Sequence, residues 1–384
     1  MISEDTLDLA VKRAIISGEQ RDRIVALAAT PPPLRADTET ASGDEPLRLV
    51  GGGNDLFVTV GIVLLFAGAL FALQSFSGAT VPFIAVTLGI FAWLVAEFVT
   101  RQRRMRLSST VLGLGFMAAV LTVLGFHLEG RAEIQAVQTP VQIAALRPQA
   151  TFYALVLFGG TALAAIVYFL RFRVPVMAAV LALSFTGAAF FFATLYFYDG
   201  VVAGQMLMPT LQQVPEILAK ALYVPLICGL IVFGTAVAFD LHDRERFTVW
   251  SDCAFWLHVI SAPLLVHPLF ILATGQDVVF GEIEPGLSAS VMLALLIAAF
   301  VYVALAIDRR SLLVPTLAYF GSLGIYYLVN SAANTTGIPP FALILLVIGA
   351  MIILFGAGWQ RIRRLIVGST LPTSLLTKLP PIKP

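Results

Sequence analysis

Ser251 to Phe270, SDCAFWLHVISAPLLVHPLF, is the stretch whose reading decides the fold. About twenty apolar residues are what an α-helix needs to cross a bilayer, and this one also carries two histidines and an internal proline. At 100° per residue, His258 shares a helix side with Ser251 and Ser261, while Asp252, Trp256 and His267 fall opposite. The two imidazoles are also ~13 Å apart along the axis, so one metal ion could not take both from this helix alone. Pro263 removes a backbone donor and is expected to kink the helix, freeing a carbonyl for a neighbour or for water.

An ionisable group at this depth faces the bundle interior or a wet cavity. Two readings of His258 follow. It is either a neutral ring hydrogen-bonded to a neighbouring helix, or the centre of a polar pocket with Ser251, Ser261 and Pro263 that handles a proton or a small solute. Asp252 and His267 are secondary candidates, joined by Glu97 and Asp240 from other apolar segments.

Working outward, the composition agrees with a membrane assignment. The 384 residues are 59% hydrophobic and only 12% charged, about half the charge of an ordinary soluble domain, and mean hydropathy is +0.91. About ten apolar runs of near-spanning length begin near Leu56, Ala79, Ser108, Thr151, Val174, Ala221, Cys253, Leu287, Ser311 and Pro340. Arginines gather in alternate links: Arg101, Arg103, Arg104 and Arg106, then Arg171 and Arg173, Arg244 and Arg246, Arg309 and Arg310. Arg361, Arg363 and Arg364 follow the last run. The positive-inside rule puts all of these on one side, which makes both termini cytoplasmic and the number of spans even. The expectation is an all-α polytopic bundle at residues 54–360.

Before it, Thr6–Ile15 and Gly18–Ala29 read as a short helix pair in residues 1–29, with Ser17 and Gln20 at capping-box spacing. Such a pair buries too little to stand alone, and a protein partner there is one expectation, a solvated hairpin the other. Residues 30–53 form a linker rich in proline, acid and glycine, after which Asn54 or Asp55 is expected to cap the first span. Residues 361–384 are expected to form a basic, then proline-rich tail. The start of the chain lacks the order of a cleaved signal peptide.

A parallel repeat of spans 2–5 and 6–9 is also suggested. Val81-Pro82 recurs as Val224-Pro225, and at that offset of 143 Glu97 matches Asp240, Arg101 matches Arg244 and Arg103 matches Arg246; Val174-Pro175 recurs as Val314-Pro315. Glu97 alone is also explained by an ion pair one turn away with Arg101.

Little else points to chemistry. No nucleotide loop, HExxH or GxSxG motif is present, and Cys228 and Cys253 lie in spans, so neither cofactor nor metal is expected. An enzyme is disfavoured because no nucleophile and base can be paired, and no basic patch with aromatics suggests nucleic acid. Gly61 with Gly68, and Gly349 with Gly356, suggest close helix contacts, while Trp250, Trp256 and Trp359 suggest an interfacial belt.

NDLFVTVG (Asn54–Gly61), Ser251–Phe270, AIDRRSLL (Ala306–Leu313) and the lead IISGEQRDRIVALA (Ile15–Ala28) resemble multi-pass bacterial membrane proteins of the domain-of-unknown-function class. The resemblance implies a bacterial inner-membrane location and assigns no activity. Two functions are therefore expected: a small-solute or proton-linked transporter-like protein, or a non-catalytic membrane anchor or assembly protein working through residues 1–29.

Overall fold

The computed structural model describes residues 7–8, 11–13, 17–29, 53–130, 146–206, 220–243, 248–274, 287–313, 340–376 and 379. Most of these are helical, and no strand occurs among them. The chain divides into two compact units, Met1–Pro46 and Leu47–Pro384.

In the first unit, α1 spans Gly18–Ala29. Its start carries both bonds of a capping box: the Ser17 amide donates to Gln20 Oε1 at 2.8 Å and the Gln20 amide to Ser17 Oγ at 3.2 Å. Arg21 Nε reaches back to Asp8 at 3.0 Å. Residues 30–52 of the expected linker and half of the first expected helix lie outside the described residues.

In the second unit the helices are α2 (Gly53–Gln74), α3 (Val81–Gln102), α4 (Arg106–Glu129), α5 (Arg147–Phe172), α6 (Val176–Val202), α7 (Tyr223–His242) and α8 (Val249–Thr274). These seven are long and apolar enough to cross a membrane. Two further helices, α9 (Leu287–Ile307) and α10 (Pro340–Thr370), are described, whereas most of the run expected from Ser311 lies outside the described residues. α10 continues past the expected boundary at 360 to Thr370, and a short α11 (Thr373–Leu376) follows, so the basic part of the tail belongs to the last long helix described. Arg363, which the charge pattern placed in the tail, is completely buried.

The helices associate as neighbours in sequence: α3 packs along α4 and α7 along α8, with α2 laid against α4. Burial ranks them. Only 11% of α2's most apolar window is buried, against 50% for α8, which touches α6, α7 and α9. α8, which carries Ser251–Phe270, is thus the hub, and α2 is peripheral. Around α3, α4 and α5 the core is aromatic: Trp93 meets Phe172 edge-on at 5.0 Å, and Phe116 stacks on the buried Tyr168 at 5.0 Å.

Close approach of helices occurs at glycines other than those expected. A Cβ on Gly61, Gly68 or Gly349 would meet nothing within 4 Å; Gly61 and Gly68 are exposed, and Gly356 lies outside the described side chains. At Gly229 it would come within 2.9 Å of Leu264 Cβ and 3.1 Å of the Leu264 backbone, so α7 and α8 meet there without a side chain between them. Gly229→Ala should therefore lower the melting temperature in detergent, corresponding to about 1–3 kcal/mol of overpacking. Gly234→Ala, in the same helix with open space beside it, should raise it through helix propensity. Equal effects would show that the α7–α8 contact yields freely.

A buried charge cluster as the candidate site

Asp240 lies in the apolar run AVAFDLH at the end of α7. Its carboxylate is 6% exposed, so it must be matched by donors on neighbouring helices. Two supply them. From α8, His258 Nε2 lies 2.9 Å from Asp240 Oδ2. From the turn after α9, Arg309 Nε donates to Oδ1 at 3.1 Å and Oδ2 at 3.0 Å, and Nη2 also donates to Oδ1.

Arg309 is equally a ligand of α8, because its Nη2 donates to the Ser251 hydroxyl at 2.9 Å and to the Ser251 carbonyl at 3.1 Å. Ser261 closes the far side, its hydroxyl donating to the His258 carbonyl at 3.1 Å. His258 and Ser261 are 0% exposed and Arg309 3%. One anion, one guanidinium and one imidazole thus join three helices at their arginine-rich ends.

Local backbone geometry aims Arg309 into this space. α9 ends in a Schellman arrangement in which the Asp308 amide bonds Leu305 O at 3.3 Å and the Arg309 amide bonds Ala304 O at 2.9 Å. Asp308 takes the left-handed position (φ 56°) where glycine is usual. Its carboxylate accepts from Trp359 Nε1 at 2.7 Å, and Arg363 of α10 donates through Nε to Leu305 O at 2.9 Å. Arg363 therefore satisfies a last-turn carbonyl of α9 from another helix. The Arg310 guanidinium lies 5.3 Å from the Trp359 ring centre. Trp359, expected at the interface, is buried as part of this clamp.

The sequence candidates separate accordingly. His258, Ser251 and Ser261 come together, and Asp240 joins them. Pro263 does not: it is exposed, and α8 runs on through Pro263 and Pro268. His267 is exposed, and Asp252 lies 3.9 Å from Arg106, away from the cluster. Glu97 is gripped by Arg171 through two bonds of 2.8 Å, with Arg101 more distant at 3.4 Å. The residue that sequence reading missed is Arg309, taken there only as an inner-loop charge. The signal was present, since an aspartate inside an apolar run requires a cation, but the pairing spans 69 residues of sequence.

A second buried carboxylate has a different task. Asp55, in the first turn of α2, accepts the backbone amides of Arg106 (3.0 Å), Leu107 (2.9 Å) and Ser108 (3.0 Å), plus the Ser108 hydroxyl at 2.7 Å. It is the N-terminal cap of α4 supplied by α2.

No protein-family model, curated protein or solved structure matches the chain. The geometry alone carries the functional argument. Among the described residues no group of three or more histidine, cysteine or acidic side chains could hold a metal ion.

Proposed function

We propose that the chain is a ten-span bacterial inner-membrane protein, with both termini cytoplasmic, that moves a proton or a small proton-linked solute through the Asp240–His258–Arg309 cluster. The observation that carries this reading is the burial of two titratable groups in direct contact, with a counter-charge on a third helix; ionisable residues at such depth are costly and mark functional paths. The His258–Asp240 pair can share a proton, and gaining one weakens the attraction between Asp240 and Arg309. Because His258 is sealed, exchange with either side requires the ends of α7, α8 and α9 to part.

A parallel repeat supports the same reading. α3 and α4 start at Val81 and Arg106, while α7 and α8 start at Tyr223 and Val249. Glu97 with Arg171, and Asp240 with Arg309, are then matching carboxylate–arginine pairs, one half-exposed and one sealed. Ser108 and Ser251 share the offset of 143, but their partners differ: Ser108 meets Asp55 of α2, outside the repeat, and Ser251 meets Arg309.

The test is flux in reconstituted vesicles. His258→Ala should express and fold, yet reduce dye-reported proton movement or solute uptake to the level of empty vesicles. Wild-type flux in the variant, or none in the wild type across a broad solute panel, would count against transport. The second reading, a membrane anchor or assembly protein, is favoured by the separate compactness of Met1–Pro46. Under it, deleting residues 1–30 removes the phenotype and the protein partner, while His258→Ala leaves both intact.

A further inference from the structure

On the side of α8 away from His258, a groove of about 320 Å³ runs between α6, α7 and α8. Its floor is made by Ala182, Val232, Cys253 and Leu257, all buried, and its rim by Phe185, Ile231 and Trp250, all exposed. The groove therefore opens sideways between helices that can cross a membrane, which is where hydrocarbon lies. Thr235 is a polar residue in its wall, and the hydroxyl is engaged within its own helix, donating to the Ile231 carbonyl at 2.8 Å.

The lining follows the two helices lengthwise. Along α8 the lining runs from Trp250 to Leu257, and along α7 from Phe239 to Ile231, or ~10–12 Å at 1.5 Å per residue. A single hydrocarbon chain matches the length of this lining. One end is marked by Trp250, whose ring meets Phe239 at 5.2 Å and Phe169 at 6.2 Å; tryptophan sits by preference where hydrocarbon meets headgroups.

Two charged residues follow the lining at that end: Asp243, one turn past Phe239, whose carboxylate accepts from the Thr248 amide and hydroxyl, and Arg173. Arg173 follows Phe169 by one turn and closes α5, its amide bonded to the Phe169 carbonyl at 2.7 Å. It is exposed, and it has no ion-pair partner among the described residues, while neighbouring Arg171 is occupied by Glu97. A guanidinium at the aqueous end of an apolar slot matches a phosphate joined to an acyl chain.

We propose that this groove is a binding site for one acyl chain of an acidic phospholipid, with Arg173 holding the headgroup phosphate. The assignment does not depend on the proton-handling reading.

Native mass spectrometry of the full-length protein, after incubation in mild detergent with phosphatidylglycerol or phosphatidylcholine of equal chain length, tests it. The expected result is one retained lipid per chain with about fivefold preference for phosphatidylglycerol, the preference one arginine provides. Ala178→Phe, which fills the groove from α6, should abolish retention without lowering the melting temperature; Thr235→Phe does so from the opposite wall if the first variant fails to fold. Arg173→Gln should keep the lipid and lose the preference. Unchanged retention in a folded groove-filling variant, an unchanged preference in Arg173→Gln, or a dimer that the filling variants dissociate would each overturn the assignment.

Discussion

Arg309→Leu should be the most destabilising single substitution at the cluster, costing about 3–5 kcal/mol. The loss comes chiefly from what is left behind: Asp240 remains 6% exposed, facing His258 without the guanidinium that bonds both its oxygens. Ser251 also loses its donor, which loosens the start of α8. The distinguishing measurement is a double-mutant cycle by unfolding in mixed detergent micelles. Arg309→Leu combined with Asp240→Asn should be more stable than Arg309→Leu alone, since the second change removes the stranded charge. Additive losses, or an Arg309→Leu protein as stable as the parent, would show that the cluster is not the clasp between α7, α8 and α9.

Asp55→Ala should cost about 2–4 kcal/mol, because it orphans three first-turn amides of α4 and removes a negative charge from that helix's positive end. Asp55→Asn keeps an acceptor and should cost about half as much. Asn54→Ala, at an exposed neighbouring position, should change the melting temperature little. The pair of positions separates two accounts: if Asn54 and Asp55 behaved alike, the carboxylate would be serving its own helix and not α4.

Both predictions rest on one mode of construction. Charged and polar side chains near helix ends satisfy partners on other helices: Asp55 the start of α4, Arg363 the end of α9, Arg309 the carboxylate of α7. Inside a bilayer, backbone groups freed at a helix end find no water, so a neighbouring side chain that meets them is worth more than it would be on a soluble surface. The AIDRRSLL stretch shows the economy of this arrangement. Asp308 faces Trp359, Arg309 faces Asp240 and Ser251, and Arg310 lies over the Trp359 ring, so three consecutive residues tie α9 to three other helices, α7, α8 and α10.

The amino-acid sequence by itself determined the helical, membrane-compatible character of the chain, because long apolar runs have one stable outcome when backbone donors must be satisfied internally. It also determined the capping box at Ser17 and the sharing of one side of α8 by Ser251, His258 and Ser261, since both depend only on spacing within a single helix. Tertiary structure alone decided which helix end each carboxylate serves, that Glu97 binds Arg171 in preference to Arg101, that Trp359 is buried, and that Arg309 completes the site. Those choices join residues 51 to 74 positions apart, and helical periodicity carries no information about which faces of separate helices meet.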